Sequence, residues 1–147
     1  RYRNDASVRL LMDMATLLFV NQDEFDLIHG PGLASPEHCA ARIGRGSGAP
    51  GARILLKQPD RLVLFDVAGT ILAASTHARL PSKEILDSTG AGDVVAGAYL
   101  AAVLRQDCYG ETGLARAQGV AAAMLARGWV AGKDFNCTFH RALGAVH

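Results

Sequence analysis

The order of apolar and polar positions predicts helices alternating with short strands. Residues 6–16 carry apolar side chains at helical spacing, and the compact apolar run at 17–20 is typical of a buried strand that ends at Asn21. A second helix is expected to begin near Asp23 and to stop at the Gly-Pro-Gly triplet at 30–32. The first part of the chain is therefore predicted to be helix, strand and helix.

The middle of the chain predicts one helix, a loop and a group of strands. Ser35 and Pro36 form a helix-start signal, so a helix is expected to run to about Ile43, followed by a glycine-rich loop over 44–51. Turn signals then separate three short β-like runs. These runs cover residues 53–56, 62–65 and 70–73.

Two alanine-rich helices are predicted in the last part of the chain, at about 91–105 and 112–127. Strands mixed with helices in this order favour an α/β layered domain. A length of 147 residues fits a single domain that can bury a core. Half of the residues are hydrophobic and a fifth are charged, which is a globular composition.

Charge and cysteine content exclude some classes of function. The formal net charge is +1, and no basic patch interleaved with aromatic residues is present, so nucleic acid is not an expected partner. The three cysteines are widely spaced and form no CxxC pair, which favours a reduced, cytoplasmic setting. The longest apolar run, 94–104, is far shorter than the roughly 20 residues that span a bilayer, so no membrane segment is expected.

The stretch DSTGAGD at 87–93 places two glycines at the mouth of a predicted helix. Amides at a helix N-terminus attract anions, and Gly90, Ala91 and Gly92 carry no bulky side chain that would keep a phosphate away. Asp93 would repel a phosphate, but it suits a base that takes the proton from an attacking hydroxyl. The alternative is that Asp93 only favours the helix N-terminus electrostatically.

These residues carry a resemblance to a known family. DSTGAGDVVAGAYL, residues 87–100, resembles the DTxGAGD signature of the ribokinase-like sugar kinases, the PfkB carbohydrate kinase family. The NQDE stretch at 21–24 resembles that family's NxxE motif, and residues 54–65 lie where its nucleotide-side hairpin would fall. Residues 115–128 resemble its alanine-rich helix with a closing glycine. The similarity covers almost the whole chain.

The resemblance implies a partial three-layer ribokinase-like α/β fold, the C-terminal half, with residues 1–147 as the C-terminal nucleotide-binding and catalytic part of a PfkB-type kinase. The implied activity is ATP-dependent transfer of the γ-phosphoryl group to a hydroxyl of a small-molecule sugar or sugar-like substrate. Mg²⁺ is the implied metal. A homodimer and a dependence on K⁺ are both left open.

The resemblance also implies roles for particular residues. Asp93 would be the general base, and the backbone amides of Gly90, Ala91, Gly92 and Asp93 would form the anion hole for the transferred phosphoryl group.

Further residues would serve the cofactor and the cations. Asn21 and Glu24 would hold the network of Mg²⁺, phosphate and water, although a strand-end cap and a solvated helix face are the alternative for these two. In cation-activated members a potassium ion lies beside the anion hole, and Asp87 and Thr89 occupy the positions that could contribute to such a site.

The chain also departs from the family pattern. Pro59 and Leu62 stand in the hairpin where glycines are expected, and proline donates no amide. The sugar-binding residues and the lid would lie upstream of Arg1. Two alternatives to an active kinase therefore stay open, namely a non-catalytic relic or regulatory nucleotide-binding domain of the same fold, and a different nucleotide-binding α/β domain that shares only the glycine turn.

Overall fold

A computed structural model describes residues 6–31, 37–38, 51–76, 81–85, 90–106 and 110–127. The chain divides into two compact units, Arg1–Ala74 and Ser75–His147. Of the helix expected over 35–43, only Glu37 and His38 are described, and both are helical. The glycine-rich loop expected over 44–51 lies outside the described residues except for Gly51.

The described elements follow the predicted order. The helices are α1, α2, α3 and α4, the strands are β1 to β4, and a short 3₁₀ helix precedes α3. Their bounds are α1 Ala6–Met14, β1 Leu17–Asn21, α2 Gln22–His29, β2 Arg53–Lys57, β3 Arg61–Asp66, β4 Ile71–Thr76, the 3₁₀ helix Ser82–Glu84, α3 Ala91–Gln106 and α4 Glu111–Arg127. The predicted helices and strands within the described ranges are confirmed, with shifts of a few residues at their ends.

The four strands form one mixed sheet in the order β1-β2-β3-β4. β1 runs parallel to β2, with Val20 opposite Leu56, and β2 runs antiparallel to β3, with Leu56 opposite Val63. β2 and β3 are therefore the inner strands. Their side chains are buried on both faces at consecutive positions, as the continuous apolar runs in the sequence require.

The core of the first unit lies between one face of the sheet and α2. Every second residue of β1, β2 and β3 points to this face, because successive side chains of a strand alternate between faces. Phe25 of α2 is completely buried there, and burial of such a side chain stabilises the fold by about 1.5–3 kcal/mol. The core residues are Val20, Phe25, Ile54, Leu56, Val63 and Phe65, with Leu18 and Ile28 packed against them.

In the second unit, α3 and α4 pack against each other. Both helices bury many small side chains, and small residues allow two helix backbones to approach closely. The buried residues of α3 include Val94, Val95, Ala98, Tyr99, Ala102 and Val103, and those of α4 include Leu114, Ala117, Val120, Ala121 and Met124.

A buried polar pair also belongs to the second unit. The Ser75 hydroxyl donates to Oε1 of Gln118 over 2.6 Å, and Nε2 of Gln118 donates to the Ser75 carbonyl over 2.9 Å. Ser75 is 8% exposed and Gln118 is 9% exposed. The carboxamide therefore uses its donor and its acceptor on one partner residue, which offsets the cost of burying it.

The turns on either side of β3 are held in different ways. The amide of Gln58 donates to the Arg61 carbonyl over 2.9 Å and closes the turn between β2 and β3. In the turn between β3 and β4, the Thr70 amide donates to Oδ1 of Asp66 over 2.7 Å, while the Asp66 amide donates to the Thr70 carbonyl over 3.0 Å. These bonds hold Thr70 in the turn, so β4 begins one residue later than predicted and extends to Thr76.

Candidate functional site

The first turn of α3 begins at the second half of the glycine motif. Gly90 has a positive φ of 71°, a backbone conformation that residues other than glycine rarely adopt. Its carbonyl accepts the Val94 amide over 3.0 Å, and this bond begins the helix. Amides before that of Val94 have no acceptor one turn earlier inside the helix, so they can face a ligand. Asp87 and Thr89, the residues considered for a potassium site, lie outside the described residues.

The first turn of α3 has a buried side and an exposed side. Ala91, Val94 and Val95 are buried, whereas Gly92 and Asp93 are exposed. Among the described residues, no atom outside this helix and the two chain neighbours lies within 4 Å of a Cβ atom placed on Gly92. The described part of the chain therefore leaves space beside this glycine, and Asp93 is the next residue in the sequence. The geometry is that of an open helix N-terminus with an exposed carboxylate in its first turn.

The two residues of the NxxE-like motif form a capping box at the start of α2. The Glu24 amide donates to Oδ1 of Asn21 over 2.8 Å, and the Asn21 amide donates to Oε2 of Glu24 over 2.9 Å. Asn21 has extended backbone angles, as an N-cap residue should. The structural alternative expected for this pair, a cap at the end of the strand, is thus present.

The capping box is compatible with a hydrated magnesium ion. Mg²⁺ prefers oxygen ligands and keeps several of its waters, so it commonly meets a protein through one or two carboxylates. Both Asn21 and Glu24 are exposed, and the cap engages one carboxylate oxygen of Glu24. A carboxylate has two oxygens and about four acceptor positions, so the donor set fits this ion without loss of the cap.

A polar connection that the sequence did not predict links the β2–β3 turn to α2. Nε2 of Gln58 donates to Oε1 of Gln22 over 2.7 Å, and Nε2 of Gln22 donates to Oδ1 of Asp26 over 2.8 Å. Gln58 is only 4% exposed. The one signal in the sequence is a glutamine directly after an apolar strand, which does not identify a partner 36 residues away.

The β2–β3 turn shows how Pro59 is accommodated. Pro59 and Asp60 are exposed, and the turn closes through the Gln58 amide, so the missing proline donor is not needed there. Arg61 donates to both carboxylate oxygens of Asp60, over 3.0 and 2.9 Å. The hydrogen bonding to Asp60 and the negative charge of that carboxylate raise the pKa of the Arg61 guanidinium above its ordinary value.

The predicted site residues thus form two local groups. Asn21 and Glu24 contact each other at the start of α2 in the first unit, and Gly90, Ala91, Gly92 and Asp93 share one turn of α3 in the second. Among the described residues, no three His, Cys, Asp or Glu side chains cluster as a metal site. None of the described helices is long and apolar enough to cross a membrane.

Two solved structures with similar folds are kinases. An adenosine kinase from Schistosoma mansoni in complex with 2-fluoroadenosine is 18% identical with a TM-score of 0.68, and the match covers 88% of this chain and 40% of that one. A myo-inositol kinase, converted from a pyrophosphate-dependent myo-inositol-1 kinase into a myo-inositol-3 kinase, is 18% identical with a TM-score of 0.66. That match covers 93% of this chain and 44% of the other. The chain therefore spans less than half the length of these two kinases.

The mixed sheet with its helices defines the fold as the ribokinase-like α/β class. The profile of the pfkB family of carbohydrate kinases matches residues 3–131, and the chain belongs to that family. No curated protein sequence matches it.

Proposed function

We propose that this chain carries the nucleotide-side and catalytic residues of an ATP-dependent kinase that phosphorylates a hydroxyl of a sugar or sugar-like small molecule. One observation carries the proposal. The first turn of α3 exposes Gly92 and Asp93 side by side, with a carboxylate next to a glycine that carries no side chain. The odd number of widely spaced cysteines favours a cytoplasmic setting for this enzyme.

In this proposal the Asp93 carboxylate and the backbone amides at the start of α3 have different roles in phosphoryl transfer. Asp93 accepts the proton of the acceptor hydroxyl while the oxygen of that hydroxyl bonds to the γ-phosphorus and the bond to the nucleoside diphosphate breaks. The amides of Gly90, Ala91, Gly92 and Asp93 donate to the phosphoryl oxygens, whose charge is spread in the transition state. Positioning and charge stabilisation suffice for this reaction, so no covalent nucleophile is required.

Asn21 and Glu24 would serve the metal in the same proposal. Mg²⁺ bound to the nucleotide would neutralise phosphate charge. The exposed Glu24 carboxylate would accept hydrogen bonds from the waters of the hydrated ion, and the capping box would keep its orientation. Because the cap already holds the Glu24 side chain in the absence of ligand, binding of the metal and nucleotide would not have to order that side chain.

The two similar structures support a polyhydroxylated acceptor. Adenosine and myo-inositol, the substrates in the names of those kinases, both present hydroxyl groups on a ring. Because one of them derives from a pyrophosphate-dependent enzyme, pyrophosphate belongs beside ATP in any assay of the phosphoryl donor.

The second candidate function is a non-catalytic relic or regulatory nucleotide-binding domain of the same fold. Pro59 in the hairpin and the capping role of Asn21 and Glu24 favour it, since both have structural explanations that need no turnover. The exposed Asp93 supports the active kinase, because exposure leaves its carboxylate accessible to an acceptor hydroxyl.

An Asp93→Asn variant of the natural full-length protein tests the proposal. We expect the rate of phosphoryl transfer to fall by about 10²- to 10⁴-fold, the usual contribution of a positioned base, with nucleotide affinity retained or improved. The assay follows product formation from sugars, polyols and nucleosides with ATP or pyrophosphate as donor, with and without K⁺.

Glu111→Gln is the matched control. Glu111 is an exposed acidic residue in the first turn of α4, so its loss removes the same helix-terminal charge outside the proposed site. The control should keep wild-type rates. An Asp93→Asn variant that also keeps them would rule out Asp93 as the base, and a wild-type protein that binds nucleotide without turnover would favour the relic.

A further inference from the structure

Among the described residues, two successive hydrogen bonds connect Gln58 to Gln22 and Gln22 to Asp26, outside the residues assigned to the reaction. Gln58 is almost completely buried, and both hydrogen bonds are short, at 2.7 and 2.8 Å. Burying a carboxamide is costly unless it is hydrogen-bonded, so the buried Gln58 side chain is held in line with Gln22, which is only partly exposed. The connection is therefore a directional link as well as a packing contact.

The link joins two segments at defined points. Gln58 follows the last residue of β2 and begins the turn to β3, and Gln22 is the first residue of α2. Gln22 lies between Asn21 and Glu24, the two residues of the capping box. Asp26 lies one turn further along α2, so the second hydrogen bond joins two residues of the same helix.

Apolar packing alone does not determine where the first turn of α2 lies. Phe25 and Ile28 bury one side of the helix in the core, but apolar contacts have no direction and allow small rotations and shifts. A hydrogen bond to the first helical residue fixes the rotation of the turn that carries Glu24. Because the Gln58 backbone is itself held by the closed β2–β3 turn, its side chain is a fixed reference point.

We infer that Gln58 and Gln22 are positioning residues that set the orientation of the capping box, and with it the placement of Glu24 toward the metal-bound phosphates of the donor. This inference rests on the proposed function of Asn21 and Glu24. In this inference the β2–β3 hairpin also influences the metal-binding residues, because the Gln58 side chain orients the first turn of α2, which carries Glu24.

The test uses Gln58→Leu, Gln22→Leu and the double variant in the full chain. Calorimetric titration measures nucleotide affinity with Mg²⁺ and with EDTA. We expect Gln58→Leu to reduce the affinity gained from Mg²⁺ by about 10- to 100-fold, the usual effect of losing a residue that orients a metal ligand, with metal-free affinity unchanged. Gln22→Leu should have at least the same effect, because it removes the bond from Gln58 and also the bond to Asp26. The double variant should lose no more than Gln22→Leu alone, because the bond that Gln58 makes to Gln22 is already absent there.

Gln118→Leu is the matched control, because Gln118 is a second buried glutamine with two short hydrogen bonds, in the other compact unit. It should lower the unfolding temperature without changing the gain from Mg²⁺. Amide hydrogen exchange supplies a readout that needs no nucleotide. The Asn21 and Glu24 amides should exchange faster in Gln58→Leu than in Gln118→Leu.

The outcomes separate the inference from the proposed function. A Gln58→Leu chain that unfolds at a lower temperature but keeps the wild-type gain from Mg²⁺ and wild-type exchange of Glu24 would overturn the inference alone. A wild-type chain whose nucleotide affinity is the same with and without Mg²⁺ would overturn the role of Asn21 and Glu24, and the inference with it. The Asp93 experiment tests the transfer step separately from both.

Discussion

Two glycines of the α3 motif differ in what their backbones require. Gly90 adopts a positive φ, so a side chain there strains the turn whatever space surrounds it. Gly92 lies inside the helix and is exposed, and within the described part of the chain no atom outside its own helix would meet a Cβ atom there, so packing against the described residues does not require a glycine. In the proposed function, the phosphate that approaches the helix N-terminus accounts for the glycine.

We predict that Gly92→Ala stabilises the chain and weakens nucleotide binding. Alanine at a helical position is favoured over glycine by about 0.5–1 kcal/mol, whereas a methyl group at this position intrudes on a phosphate that contacts the amides. Gly90→Ala is the contrasting variant and should destabilise the chain by about 1–2 kcal/mol. Denaturant unfolding and ATP titration measure the two effects. Unchanged nucleotide affinity in Gly92→Ala would argue against a phosphate site at this turn.

Asn21 has two candidate tasks that one pair of substitutions can separate. Asn21→Ala removes the cap and should reduce the free energy of unfolding by about 0.5–2 kcal/mol, whereas Asn21→Ser keeps a good N-cap and should be close to wild type. If Asn21 also serves the nucleotide and its metal, Asn21→Ser should keep its stability and still lose part of the affinity gained from Mg²⁺. Equal stability losses in both variants would contradict the capping role.

Among the elements, the turn between β3 and β4 depends on an ionised side chain. The Thr70 amide bonded to its carboxylate, followed by smaller contributions from the Thr70 hydroxyl and the Ala68 and Gly69 amides, lowers the pKa of Asp66 below its ordinary value. Gly69 has a φ of 84°, which brings its amide back toward Asp66. The ionised form of Asp66 is therefore favoured in the folded chain.

The turn should consequently lose stability in acid. A carboxyl group whose folded pKa lies below its unfolded value of about 3.9 contributes fully above that value, and the contribution is lost as the pH falls through the folded pKa. Asp66→Asn should therefore destabilise the chain at neutral pH, and its difference from wild type should shrink as the pH falls below about 4. Urea unfolding at a series of pH values measures this difference. A difference that does not change with pH would contradict the assignment.

For the whole molecule, the outer strands of the sheet are the feature with the clearest consequence in solution. β1 and β4 are the outer strands of the described sheet, and β4 exposes Ile71 and Leu72. An outer strand with exposed apolar residues invites pairing with another chain. We predict concentration-dependent self-association of the 147-residue chain, measured by light scattering.

A pair of lysine substitutions tests whether strand pairing causes this association. Leu72 is 45% exposed on β4, and Leu104 is 83% exposed on α3. A lysine on an outer strand opposes pairing, so Leu72→Lys should reduce association more than Leu104→Lys does. The reverse order would point to the helix surface instead of the sheet edge.

A structural feature can be predicted from this sequence when the residues that form it are close together along the chain. The predicted start of α2 near Asp23 lies within one residue of the observed start at Gln22, because the residues that begin and end a helix are close together in the sequence. The inner strands were recognised because they are buried on both faces and read as continuous apolar runs. The link from Gln58 to Gln22 was missed, because its partners become neighbours only when the sheet places β2 beside β1.

The same rule applies to the candidate site. The roles of Asp93 and the glycine turn are predictions from adjacent residues and from the family resemblance. The structure shows that Gly92 and Asp93 are exposed, and the roles themselves stay predictions. The choice between a metal role and a capping role for Asn21 could not be made from the motif letters, because the same two side chains suit both tasks. The structure shows the cap, and the metal role stays a prediction.

The two buried glutamines also provide a way to follow the two units separately in solution. Gln58 and Gln118 each hold a carboxamide in a fixed environment, one in each compact unit. The amide protons of such a side chain give resolved nuclear magnetic resonance signals that exchange slowly with solvent, unlike the averaged signals of surface glutamines. Loss of the two pairs of signals at one denaturant concentration would show that the units unfold together, and loss at two concentrations would give each unit a stability of its own.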